Sequence, residues 1–196
     1  MTTENFAQPQ RLVLGDLLPA SRVRDAALVL AGTGVVAALA QVAIPLPFTP
    51  VPLTLGTFGA LVVGAALGPA RAAASLALYM LAGVAGVGWF AGGASGWQFA
   101  SFGYVLGFLL AGVLVGRLAR AGADRKPLAT IGAMLLGSVV VYACGVPWLM
   151  AFLGVDLPEA LRLGVVPFLA GDAIKSVLAA VVLPGTWAVV SRVRRG

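Results

Sequence analysis

Residues 26–70 read AALVLAGTGVVAALAQVAIPLPFTPVPLTLGTFGALVVGAALGPA, a run of 45 residues without one charged side chain. As a single helix at 1.5 Å per residue it would be about 68 Å long, over twice the ~30 Å hydrocarbon core of a bilayer. It therefore holds two membrane helices and a connection. The connection is Ile44-Pro45-Leu46-Pro47-Phe48-Thr49-Pro50-Val51-Pro52, where four prolines forbid helix.

The same reading extends outward. Residues 72–116 form a second uncharged run of 45, broken by the Gly-rich stretch from Gly83 to Gly96. Residues 127–155 make one long span, and a last span runs from about Gly164 to Ser191. The expected helices are 25–44, 53–67, 70–87, 99–119, 128–152 and 165–191. Leu67-Gly68-Pro69-Ala70-Arg71 is so short that the second and third should form a tight hairpin. The expected organisation is a segment over 1–24, a membrane domain over 25–191 and a basic tail over 192–196.

Composition agrees. The 196-residue chain is 60% hydrophobic and 10% charged, with a mean hydropathy of +1.01. Soluble domains carry about a quarter charged residues. The first 24 residues lack an apolar stretch of signal-peptide type, so the first span is expected to direct its own insertion. Cys144 stands alone in an apolar run and there is no His, which leaves no disulfide framework and no metal site.

The basic residues orient the bundle. With six spans, Arg11, Arg22, Arg24, Arg71, Arg117, Arg120, Arg125, Lys126, Arg192, Arg194 and Arg195 share one side, and Arg162 alone occupies the other. By the positive-inside rule the expected fold is an all-α membrane protein with six transmembrane helices and both termini cytoplasmic. The same placement explains the net charge of +6 without nucleic acid as a partner.

The opposite side has two uncharged loops rich in Pro, Gly and Trp. Its second loop reads Trp89-Phe90-Ala91-Gly92-Gly93-Ala94-Ser95-Gly96-Trp97-Gln98-Phe99. One reading is an interfacial aromatic belt. The other is a lid over a pocket, since non-helical backbone at membrane depth is tolerated against protein or a water-filled cavity. Two such loops on one side favour the cavity.

Well inside the spans, Asp172 and Lys175 stand out in Pro167-Phe168-Leu169-Ala170-Gly171-Asp172-Ala173-Ile174-Lys175. Spacing of three places them on one helix face. Charges at that depth are costly and mark function or a self-neutralising structural pair. As a clamp, Asp accepts and Lys donates, which suits a ureido group or a carboxylate. Proton relay is less supported, for want of His or a second buried acid. Tyr79, Tyr104 and Tyr142 are further polar candidates, as are Gln98, Ser95, Ser101 and Thr54. No P-loop and no His-based triad is present, so enzymatic chemistry has little support. On the first helix Ala27/Ala31 and Gly34/Ala38 form a small-residue stripe suited to close helix approach, within the chain or to a partner.

Pro47-Phe48-Thr49-Pro50-Val51-Pro52-Leu53-Thr54, Leu67-Gly68-Pro69, Tyr79, Phe90-Ala91-Gly92-Gly93 with Gly96, Gly103-Tyr104-Val105-Leu106-Gly107-Phe108, and Pro167-Phe168 with Gly171-Asp172 and Lys175 together resemble the BioY family. These are biotin-binding substrate-capture (S) components of energy-coupling factor (ECF) transporters. The order and spacing of the pieces carry the resemblance, over about residues 25–191. It implies six helices in the cell membrane, biotin as transported ligand with no cofactor, and partnership with a transmembrane coupling protein and an ATPase pair. It would place biotin contacts among Asp172, Lys175, Tyr79, Tyr104, Trp89, Phe90, Gly92, Gly93 and Gln98. It would place the partner interface at Ala27, Ala31, Gly34 and Ala38. An S component for another vitamin and a stand-alone biotin transporter are the alternatives. Three positions depart from the pattern: Gly56 replaces a frequent Gln, Gly88 a frequent Pro, and Ala100-Ser101 a frequent Pro-Thr pair.

Overall fold

A computed structural model of the chain describes residues 12–193. Arg11, Arg194 and Arg195 lie outside the described residues. The first helix, α1 (Arg22–Gln41), is capped by Ser21, whose Oγ accepts from the Arg24 amide at 3.0 Å. It is followed by β1 (Ala43–Leu46) and β2 (Thr49–Thr54), then α2 (Gly56–Leu67) and α3 (Pro69–Val84). Next come α4 (Phe102–Arg120), α5 (Pro127–Leu153), the short α6 (Leu157–Gly164) and α7 (Leu169–Val193).

The expected helices appear in order, with two corrections. The Pro-rich break is an antiparallel hairpin, pairing Ala43 with Thr54, Ile44 with Leu53 and Leu46 with Thr49. Prolines fit a two-stranded ribbon because each strand has one free edge that needs no N–H donor. Helix 53–67 therefore starts only at Gly56. The last span also begins later than residue 165. The chain first makes α6, capped by Asp156, whose carboxylate accepts from the Glu159 amide at 3.0 Å, and then a 3-10 turn over Val166–Phe168. By length and apolarity alone, four segments suffice to cross a membrane: α1, α4, α5 and the α6–α7 unit. With 12 and 16 residues, α2 and α3 are about 18 and 24 Å long, short of a full hydrocarbon core.

The tight α2–α3 hairpin is present. Gly68 has φ +78°, and Pro69 opens α3 at a position where its missing N–H costs nothing. Glycine also sets the α2–α4 crossing, where a Cβ on Gly64 would lie 2.5 Å from the Gly112 carbonyl oxygen. Between helices in lipid, association rests on such close packing, because the surrounding tails are as apolar as Leu.

The helices are inside-out compared with those of a soluble protein. On α7 the buried face carries Asp172, Ser176, Ala179, Ala180 and Leu183, while Ile174, Val177, Leu178 and Val181 are exposed. That large apolar outer surface is what a lipid-facing bundle presents.

The described basic residues gather at one end of the bundle, apart from Lys175 and Arg162. Arg71 bonds Asp16 at 2.7 Å and Asp25 at 3.0 Å, and Arg120 lies 3.9 Å from Asp16. Burial works to raise the Asp16 carboxyl, but hydrogen bonds from Arg71 and the Val13 amide, with the charges of Arg71 and Arg120, hold it below the ordinary carboxylate value. At the opposite end Arg162 is tied to Glu159 at 2.6 Å.

Candidate functional site

The hairpin, the Gly-rich loop and the outer halves of α4, α5 and α7 enclose a cavity opening at the end away from the basic residues. Its walls include Tyr79, Phe90, Phe99, Tyr104, Phe108, Val141, Tyr142 and Phe168, with Asp172 and Lys175 among its polar groups. The water-sized space it encloses is about 60 Å³ and continues outward through the mouth. An outer vestibule of about 390 Å³ shares Pro52, Ala91, Phe99 and Ser101 with it.

Each wall is fixed by a local cause. Thr49 at the start of β2 donates its hydroxyl to the Leu163 carbonyl at 2.8 Å, which pins the hairpin to α6. Gln41, ending α1, donates to the carbonyls of Trp89 and Phe90 at 2.7 and 3.3 Å and holds the Gly-rich loop. Within that loop Gly92 and Gly93 have φ of +69° and +76°, a left-handed turn open to glycine at no steric cost. The turn drops Phe90 onto Gly83, where any side chain would collide with its ring.

The polar centre is compact. The Tyr142 hydroxyl donates to Asp172 Oδ2 at 2.6 Å, and Lys175 Nζ donates to Oδ1 at 3.2 Å. Asp172 is 6% exposed. Tyr104 meets Tyr142 edge to face at 6.5 Å and donates to the Gly164 carbonyl at 2.9 Å. Asp172 thus accepts from both neighbours, and the pair offers a ligand one acceptor and one donor side by side in an aromatic box.

The structure brings Asp172, Lys175, Tyr79, Tyr104 and Phe90 to the cavity wall. It brings Tyr142, Thr54 and Ser101 there too, but not Trp89, Gly92, Gly93, Ser95 or Gln98. Trp89 stands behind Tyr79, stacked at 5.6 Å, with its indole N–H on the Tyr79 carbonyl at 2.9 Å. Gly92 and Gly93 shape the loop from its exposed side, and Gln98 is exposed. Ala27, Ala31, Gly34 and Ala38 are all exposed along one side of α1. Tyr142 meets Asp172 directly, and its phenol inside an apolar span is the signal that singles it out as a polar candidate. Phe99, Phe108 and Phe168 had no such signal beyond being aromatic.

Of the departures, Ser101 lines both cavity and vestibule. Gly56 is buried at the start of α2, where a Cβ would lie 3.2 Å from the Thr54 hydroxyl, and Gly88 is exposed beside the Gly93 carbonyl. Among the described residues no cluster of His, Cys, Asp or Glu is suited to a metal.

With this geometry in view, the chain is similar to several known proteins. The biotin transporter BioY2 of Lactococcus lactis subsp. cremoris is 34% identical over 154 residues, 77% of this chain and 83% of that one. The biotin transporter BioY of Thermotoga maritima is 34% identical over 71% of this chain and 82% of its own length. The crystal structure of the S-component for biotin from an ECF-type ABC transporter superposes with a TM-score of 0.75. It covers 91% of this chain and 96% of its own at 24% identity, and the two share a fold. The BioY family model matches residues 9–192, and the chain belongs to the BioY family.

Proposed function

We propose that this protein captures biotin in the cavity from outside the cell and mediates its uptake as the substrate-binding subunit of a transporter. The observation that carries this is the buried Asp172–Lys175–Tyr142 centre inside an aromatic box that opens at the end away from the basic cluster. Biotin joins a ureido ring, with two N–H donors and a carbonyl acceptor, to an apolar thioether ring and a carboxylate tail. Asp172 is an acceptor and Lys175 a donor for such groups, and the aromatic walls suit the apolar body. Polar atoms buried without such partners would cost about 1–3 kcal/mol each. The relatives described as biotin transporters support the same ligand.

In this reading the chain is a multi-pass protein of the cell membrane. All six principal helices span, α2 and α3 with help from the hairpin and neighbouring helices, and both termini are cytoplasmic by the positive-inside rule. Transport, not catalysis, is its activity, and biotin is cargo and not cofactor. The exposed small-residue side of α1 is the docking face for a coupling protein that works with an ATPase pair.

The direct test is titration of the purified protein in detergent with biotin, in competition with other vitamins. Saturable binding displaced by biotin alone is expected. Preference for another vitamin would change the substrate, and no saturable binding by folded protein would overturn the reading. Co-purification with a coupling protein, lost in Ala31→Leu, tests the partner face.

A further inference from the structure

A second buried acid sits at the other end of α7. Asp124 lies in the 3-10 turn Ala123–Arg125 between α4 and α5 and is 2% exposed. Its Oδ2 accepts the indole N–H of Trp187 at 2.5 Å, and its Oδ1 is buried without a hydrogen-bond partner. The Arg125 guanidinium lies 4.0 Å from the centre of the Trp187 ring and donates to the Leu12 carbonyl at 2.8 Å. Burial pushes the Asp124 carboxyl above its ordinary value, against the Trp187 hydrogen bond and the Arg125 charge.

Between Asp124 and the ligand cavity the packing of α2, α5 and α7 is interrupted by small voids in line. The upper one is lined by Thr57, Ser138, Asp172, Lys175 and Ser176, and shares Asp172 and Lys175 with the cavity. It is about 10 Å³, room for about one water. The lower one is lined by Thr130, Leu183 and Asp124 among others, shares Met134 with the upper, and is closed to water. The spacing explains the line. Thr130, Met134, Ser138 and Tyr142 recur every fourth residue on α5, as Asp172 and Ser176 do on α7, with Leu183 and Trp187 completing that face.

We propose that Asp124, Trp187 and Arg125 form a latch at the basic end that keeps this seam shut, and that its release opens a water path from that side to Asp172 and Lys175. A purely structural tie would satisfy both carboxylate oxygens and lie beneath an apolar interface. Here one oxygen is unsatisfied, and hydroxyls continue above it at Ser138 and Ser176. Removing Trp187 would leave the carboxylate without its indole donor, so water would enter to solvate it. Trp187 is also placed to move: Pro184, three residues earlier, lacks the N–H that would tie it to Ala180. The segment beyond Pro184 is thereby less tightly joined to the part of α7 that carries the ligand site.

The test reads water access and does not depend on which ligand binds. Ser138→Cys in a Cys144→Ala background places one thiol in the upper void. A charged, membrane-impermeant methanethiosulfonate is added at the basic face of inverted membrane vesicles, and the modification rate is compared with and without Trp187→Phe. This substitution keeps a ring under Arg125 and removes only the indole donor. The rate is expected to rise at least tenfold. Asp124→Leu releases the latch from the other partner and carries the test if the Phe variant does not fold. An unchanged rate in folded protein overturns the latch while leaving the biotin reading intact.

Discussion

The two ends of the bundle use charge in opposite ways. At the basic end Arg71 lies between Asp16 and Asp25, Arg24 bonds Asp25 at 2.6 Å, and Arg120 faces Asp16. These groups come from the segment before α1 and from α1, α3 and α4, so they tie chain to chain. At the other end the loops are almost uncharged, and two charges are held deep in the cavity instead. A rim pair can fall back on water when broken, but a pair at membrane depth cannot. Stability is therefore expected to dominate the first end and ligand affinity the second.

The largest effect should come from breaking the cavity pair on one side only. Asp172→Ala leaves Lys175 buried without its carboxylate. Losing one partner of a buried pair costs about 3–5 kcal/mol. Biotin affinity should fall at least 100-fold, about 2.8 kcal/mol at 1.4 kcal/mol per tenfold, with a lowered thermal midpoint. The double variant Asp172→Leu/Lys175→Met should recover most of the stability and none of the affinity. Near-parental biotin binding by the double variant would make the pair structural and erase the contrast between the ends.

The reverse pattern is expected for Arg71→Met. It removes the donor shared by Asp16 and Asp25, and losing the charged bond to Asp16 should cost about 1–2 kcal/mol after allowing for partial solvation. Biotin affinity should stay within about twofold of the parent. Acid sharpens the test. The Asp16 carboxyl is held below the ordinary carboxylate value of 3.8, so its bonds stabilise the fold above that pH and lose their effect as pH falls through and below it. The stability gap between the parent and Asp16→Asn should be full at pH 7 and close below about pH 4. A gap independent of pH would remove Asp16 from the network.

Much of this contrast is legible in sequence. The uncharged runs locate the helices because charge in lipid is expensive, and the same rule isolates Asp172 and Lys175. What is illegible depends on tertiary contact. The prolines exclude helix between Ile44 and Pro52, yet pairing of Ala43 with Thr54 is decided by what lies beneath the strands. Asp124 reads as an ordinary loop acid, since only the fold brings Trp187 to it from 63 residues away. Tyr142 reads as a polar candidate in an apolar helix, but its partner is set only when α7 supplies the carboxylate it binds.

The hairpin allows a smaller test. Thr49→Val keeps the shape and deletes the hydroxyl that reaches the Leu163 carbonyl at 2.8 Å. Losing one buried hydrogen bond costs about 1 kcal/mol, and the hairpin contributes Val51, Pro52 and Thr54 to the cavity wall. Association with biotin should hardly change, while dissociation measured by chase should speed up about fivefold. An unchanged dissociation rate would show that the hairpin does not retain the ligand.

The smallest effect is expected at Gln98, which the resemblance places among the biotin contacts. The side chain is exposed, whereas its neighbour Phe99 lines both cavity and vestibule. Adjacent residues in this loop therefore face different surroundings, and sequence proximity to the site does not make a contact. Gln98→Ala should change biotin affinity by less than about twofold, whereas Phe99→Ala, which opens the box, should cost about tenfold or more. A large loss at Gln98 in titration would mean that the loop closes further over bound biotin and swings this amide inward. The boundary between the site and its solvent-facing cover would then move outward by one residue.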